Sequence, residues 1–132
     1  MIEERLAGRT LGSLGGTFVV AEWADEGETS RDRPVAPLHL HKGEDEGWYV
    51  LEGRLGFRLG EREVEADVGG AVLAPAGVAH SYWNAGSGRT RYLIVMGPIT
   101  ARLVEAIHAM DPFDPGRLPE LFREHDSELL AH

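Results

Sequence analysis

The chain has 132 residues, 42% of them hydrophobic, with 17 Gly, seven Pro, no Cys and a formal net charge of −9. That length suits one domain able to bury a core without staples. The absence of Cys excludes a disulfide scaffold, a thiol nucleophile and a thiolate metal site, and the acidity disfavours nucleic acid as a partner. No apolar run reaches membrane-spanning length, and no basic-then-apolar leader opens the chain, so the expectation is a cytoplasmic protein with no membrane partner.

In chain order, residues 1–13 carry Leu6 and Leu11, which with Leu14 could cover one end of a core. Gly15 to Ala24 reads as a strand, rich in Thr17, Phe18, Val19, Val20 and Trp23. Residues 25–34 are a charged loop, either solvated or a lid over a substrate. From Val35 to Pro98 the pattern is short strands between Gly-centred turns. Glu46 to Leu51, Leu55 to Leu59, Glu63 to Ala66, Ala71 to Ala74, His80 to Asn84 and Arg91 to Met96 are the predicted strands. Leu55, Phe57 and Leu59 face inward by alternation. Such spacing argues for a sandwich or barrel and against βαβ units.

After Gly97-Pro98 the period changes. Ile99, Leu103, Ala106 and Ile107 fit a helix stripe, broken by Asp111-Pro112-Phe113-Asp114-Pro115-Gly116. Leu118, Leu121, Phe122, His125 and Leu129 form a second stripe. The predicted organisation is a barrel over residues 1–98, N-terminal strands included, and a helical extension over 99–132 packed on it.

Alternation also places the chemistry. His39 and His41 project from one strand face, Glu46, Trp48 and Val50 from another, and His80, Tyr82 and Asn84 from a third. Three imidazoles and a carboxylate could then converge. A mixed N/O donor set suits a borderline or hard divalent ion. Glu44 shares the parity of Glu46 but follows Lys42-Gly43 in a turn, whereas Glu46 sits in the strand proper. Tyr82, Trp48 and Phe57 could line a cavity above the ion or belong to the core. His108 and His125 read as surface or packing residues. Ser81 faces away from His80, and neither a Ser–His–Asp constellation nor a G-x-S-x-G or G-x-G-x-x-G motif is present.

His39-x-His41-x4-Glu46-x6-Gly53 resembles the first cupin motif, and Gly69-x5-Pro75-x-Gly77-x2-His80-x3-Asn84 the second. The resemblance covers roughly residues 15–97. It implies an all-β fold, the jelly-roll or double-stranded β-helix barrel, here with a C-terminal helical tail. It also implies that His39, His41, Glu46 and His80 bind one divalent metal ion, Fe, Mn, Ni or Zn, leaving positions open for water, substrate or oxygen. Gly53, Gly69, Pro75 and Gly77 would be turn positions and Asn84 would sit in the barrel mouth. Gly47 departs from the pattern, and could loosen its strand or leave room for a ligand. The tail resembles those of small bacterial cupins described as quercetin-dioxygenase-like. The expected function is a metal-dependent dioxygenase acting on a small, perhaps aromatic, organic substrate, with Glu46 and Tyr82 as catalytic residues. The alternatives are a redox-neutral isomerase or lyase, and a non-enzymatic small-ligand binding or sensor module. Small jelly rolls commonly pair, so a homodimer is expected, with Leu6 to Leu14 supplying strands across the interface.

Overall fold

The computed structural model describes residue 8, residues 10–12 and residues 15–130. Its strands are β1 (Thr10–Leu11), β2 (Val19–Asp25), β3 (His39–His41), β4 (Glu46–Glu52), β5 (Arg54–Leu59), β6 (Arg62–Asp67), β7 (Ala71–Ala74), β8 (His80–Asn84) and β9 (Thr90–Met96). Helix α1 (Pro98–His108), helix α2 (Leu118–Glu124) and strand β10 (Ser127–Leu129) follow. Two five-stranded antiparallel sheets face each other, in the orders β1-β2-β9-β4-β7 and β10-β3-β8-β5-β6. This is the jelly-roll barrel with a C-terminal helical tail that the strand spacing and motifs led us to expect. Among the described residues no helix is long and apolar enough to cross a membrane.

Alternation decides what lies between the sheets. Trp48 and Val50 of β4, Leu55 and Phe57 of β5, Tyr82 of β8 and Ile94 of β9 are all buried in one cluster. Their outward neighbours on β4 and β9, Tyr49 and Val95, are exposed. At full burial each large apolar side chain contributes roughly 1.5–3 kcal/mol, which makes this cluster the main source of the fold's stability. The β4–β5 turn depends on Gly53, whose φ of +80° is unfavourable for side-chain-bearing residues. A Cβ there would also collide with Thr90 Oγ1.

Two elements differ from the sequence reading. Strand β2 begins at Val19, later than Gly15, because its register on β9 ends at Val19 opposite Met96. Beyond Met96 the partner turns into α1 and offers no further ladder. The second helix stops at Glu124, and Leu129 lies in β10, paired with His39 on the edge of β3. Asp126, at a positive φ of 54°, makes the turn that ends the helix and starts the strand. Leu11 pairs with Val20 in β1; Leu6 and Leu14 lie outside the described residues.

Candidate metal centre

His39 and His41 share the inner face of β3, and His39 stands directly opposite His80 of β8. Glu46 opens β4 in the facing sheet. One donor atom from each of the four lies within 4.8 Å of the others, and all four residues are buried. Glu46 Oε1 is 3.0 Å from His41 Nε2 and 3.1 Å from His80 Nε2. Glu44 turns away and accepts the backbone N–H groups of Ile99 and Thr100, capping α1. Asp45 accepts the N–H of Ala76.

The far side of each imidazole fixes what its near side offers. His39 Nδ1–H donates to Pro37 O at 2.7 Å, and His80 Nδ1–H to Val78 O at 2.9 Å. Carbonyl oxygens only accept, so these rings carry their hydrogen on Nδ1. His41 Nδ1 lies 2.7 Å from Ser127 Oγ, which donates its own hydrogen to His125 O. Ser127 therefore accepts from His41 as well. In the neutral rings the Nε2 lone pairs of His41 and His80 then face the ionised Glu46 carboxylate, with His39 beside them. Four acceptors this close attract one another only through a positive charge, either an imidazolium hydrogen or a metal cation. This donor set fits a divalent ion.

The charges agree with that assignment. Burial, then the neighbouring His80, lowers the His39 pKa to about 4, which keeps the ring neutral and able to ligate. Burial pushes the Glu46 carboxyl up, but the contacts with His41 and His80 outweigh it and hold the pKa at about 2.

A cavity of about 290 Å³ opens beside the cluster, with His39, His41 and Glu46 in its wall. The rest of the wall is largely apolar, including Trp23, Ile94, Leu103, Ile107 and Phe122. Of Tyr82, Trp48 and Phe57, the aromatic residues considered as cavity lining in the sequence, Tyr82 reaches this cavity. Phe57 and Trp48 belong to the core, their rings packed edge-on 5.1 Å apart. Asn84 is a structural clasp: it bonds Asp25, Gly88 O and the Gly86 N–H at the opposite end of its strand. The 25–34 loop is pinned to it through Thr29 Oγ1, which accepts the Asn84 N–H. A Cβ on Gly47 would meet Val72 O and Leu73, on the outer sheet face, so this glycine makes no room in the cavity.

Sequence reasoning missed the tail's part in the site. Ser127 holds His41, and the Phe122 ring packs edge-on against His39 at 5.2 Å. His108 also reaches the cavity wall, its ring 5.5 Å from Trp23. Tyr92 lines the cavity too, its hydroxyl 2.9 Å from that of Tyr82. Alternation along β9, where Tyr92 shares the parity of the buried Ile94 and Met96, is the signal that could have found Tyr92; the sequence has no signal for Ser127.

Residues 31–96 match the family model described as the cupin domain. A search of curated proteins returns no significant match. Among solved structures, the chain is similar to the TT1209 protein of Thermus thermophilus, at 29% identity over 67% of this chain and 77% of that one, with a TM-score of 0.55. It also resembles a cupin protein of Bacteroides fragilis, at 15% identity over 62% and 66% of the two chains, TM-score 0.54. A third is a sugar phosphate isomerase from a cupin superfamily of Silicibacter pomeroyi, at 24% identity over 62% and 51%, TM-score 0.53. The last two likenesses speak for the fold alone, and the chain spans about half the length of that isomerase. Both motifs, the facing sheets and the family match over residues 31–96 agree: the chain belongs to the cupin domain family.

Proposed function

We propose that this cupin is a metal-dependent enzyme that oxidises a small, mainly apolar organic substrate with dioxygen. One observation carries the reading: three imidazoles and a carboxylate converge, and His39, His41 and Glu46 of that cluster line a mainly apolar cavity. His39, His41, Glu46 and His80 would hold one divalent ion. When bound, such an ion supplies Lewis acidity and, as Fe or Mn, redox access to dioxygen. Glu46 is the one carboxylate of the wall among the described residues. It is the group placed to take a proton from a bound substrate. Tyr82 shapes the wall and offers its hydroxyl. The apolar side chains exclude water and orient the substrate's hydrocarbon part. We read the barrel as running to residue 98 and the segment after it as an extension that returns β10 to the barrel's edge and completes the site through Phe122 and Ser127. The working form is a homodimer joined through the outer face of the first sheet, where Phe18, Tyr49, Leu73 and Val95 are exposed.

Elemental analysis of the wild type and of a His39→Ala/His80→Ala double variant tests the ion. The wild type should carry one divalent ion per chain and the variant essentially none; equal contents refute the assignment. Oxygen-electrode assays follow on ligands found by a binding screen of Fe-, Mn- and Zn-loaded protein. Oxygen uptake that requires Fe or Mn and disappears in His80→Ala supports the oxygenase. Turnover without oxygen, Zn included, favours an isomerase or lyase. Binding without turnover under any loading leaves a ligand-binding module.

A further inference from the structure

The wall of the cavity has a polar feature that metal binding does not use. The hydroxyls of Tyr82 and Tyr92 face each other at 2.9 Å, both on buried side chains. Two hydroxyls bring two hydrogens, and their mutual bond uses one. Whichever oxygen donates, the other keeps a hydrogen without a partner in the pair. Among the described residues the wall contains no Lys and no Arg. Outside the cluster His108 is its one basic side chain, so a second negative charge held away from the ion would lose hydration with no Lys or Arg to replace its water.

We propose that the Tyr82–Tyr92 pair reads the ligand, donating its spare hydrogen to an oxygen on a compact, mainly apolar molecule with at most one negative charge. The inference rests on the metal reading, because the ligand's other polar end would lie at the cluster. Tyr82 follows His80 by two residues on the same strand face, about 7 Å along the backbone, and pair and cluster border one cavity of about 290 Å³. The ligand class is therefore a small ring or short chain with an oxygen group at each end. Phosphorylated sugars and dicarboxylates are rejected.

Zinc-loaded protein, which is redox-inert, allows a direct test by calorimetry with benzoate, 4-hydroxybenzoate and terephthalate. These share one apolar ring and one carboxylate, and differ in the group at the far end. Wild type should bind 4-hydroxybenzoate about tenfold more tightly than benzoate, the worth of one hydrogen bond in a dry site, and terephthalate at least about tenfold more weakly than 4-hydroxybenzoate. The Tyr82→Phe/Tyr92→Phe double variant, which removes both hydrogens, should, with zinc content and thermal unfolding unchanged, reduce the 4-hydroxybenzoate preference to within about threefold. A preference surviving in the double variant overturns the proposal. So does terephthalate binding as tightly as 4-hydroxybenzoate, or zinc-loaded wild type binding none of the three. Wild type that takes up no zinc overturns the underlying metal reading instead, and metal content shows this before any ligand is added.

Discussion

At the scale of single residues, the site is defined as much by what holds the imidazoles as by the imidazoles themselves. Each Nδ1–H has an acceptor, and two of the three acceptors are backbone carbonyls, of Pro37 and Val78, that any sequence on this backbone would supply. The exception is His41, whose acceptor is the side chain of Ser127 on the returning tail. Ser127→Ala removes that acceptor and leaves the ring free to turn or to move its hydrogen to Nε2. Loss of such an orienting partner typically weakens metal binding about 10–100-fold. We expect Ser127→Ala to fall in that range in a chelator competition, with the fold intact by circular dichroism. Metal affinity equal to wild type would show that His41 is held by packing alone. The four residues of the cluster were legible in the sequence because i, i+2 alternation puts His39 and His41 on one face and the two motifs that resemble the cupin pattern include Glu46 and His80. Ser127 was not, because 86 residues separate it from His41 and only tertiary folding pairs them.

At the scale of elements, the strands between Glu46 and Met96 follow from alternation and turn residues, and the structure reproduces them within a residue or two. The departures occur where a partner sets the boundary. Strand β2 starts late because β9 ends, and the second helix stops early because β3 has a free edge that β10 fills. The charged loop after β2 is another tertiary effect, since a run of acidic and basic residues carries no sign of being anchored. Asp25 anchors it. Its carboxylate accepts the N–H groups of Gly27 and Glu28 and the hydroxyl of Thr29. Burial raises the pKa of this carboxyl, but those bonds, with Asn84, lower it from the usual 3.8 to about 2. A depressed carboxyl pKa stabilises the folded state above the unfolded value, and the contribution is lost as pH falls from near 4 toward 2. Urea unfolding at pH 7, 4 and 2.5 should show wild type losing roughly 1–2 kcal/mol more than Asp25→Asn over the acid range. Parallel losses in the two proteins would assign the acid sensitivity to other carboxylates.

At the scale of the whole molecule, the two faces of the first sheet have opposite characters. The inner face carries Trp48, Val50, Tyr92 and Ile94 into the core. The outer face runs Val20, Val95, Gly47 and Leu73 across four paired strands, with Tyr49 one row away between Leu93 and Ala71. Leu73 is 58% exposed and nearby Phe18 59%. Gly47 leaves a shallow place in the middle of this patch, since it brings no side chain to the row. A net charge of −9 opposes self-association at long range, yet a contiguous apolar face of this kind marks an interaction surface. A two-fold axis would set the patch against itself, with Leu73 of one copy free to enter the space at Gly47 of the other. Light scattering at micromolar concentration should therefore give a dimer mass for the wild type, and Leu73→Lys, which sets like charges across the axis, should give a monomer. The cluster faces the opposite side of the sheet, so the monomeric variant should keep its metal. A monomeric wild type, or a dimer indifferent to Leu73→Lys, would remove this face from the assembly.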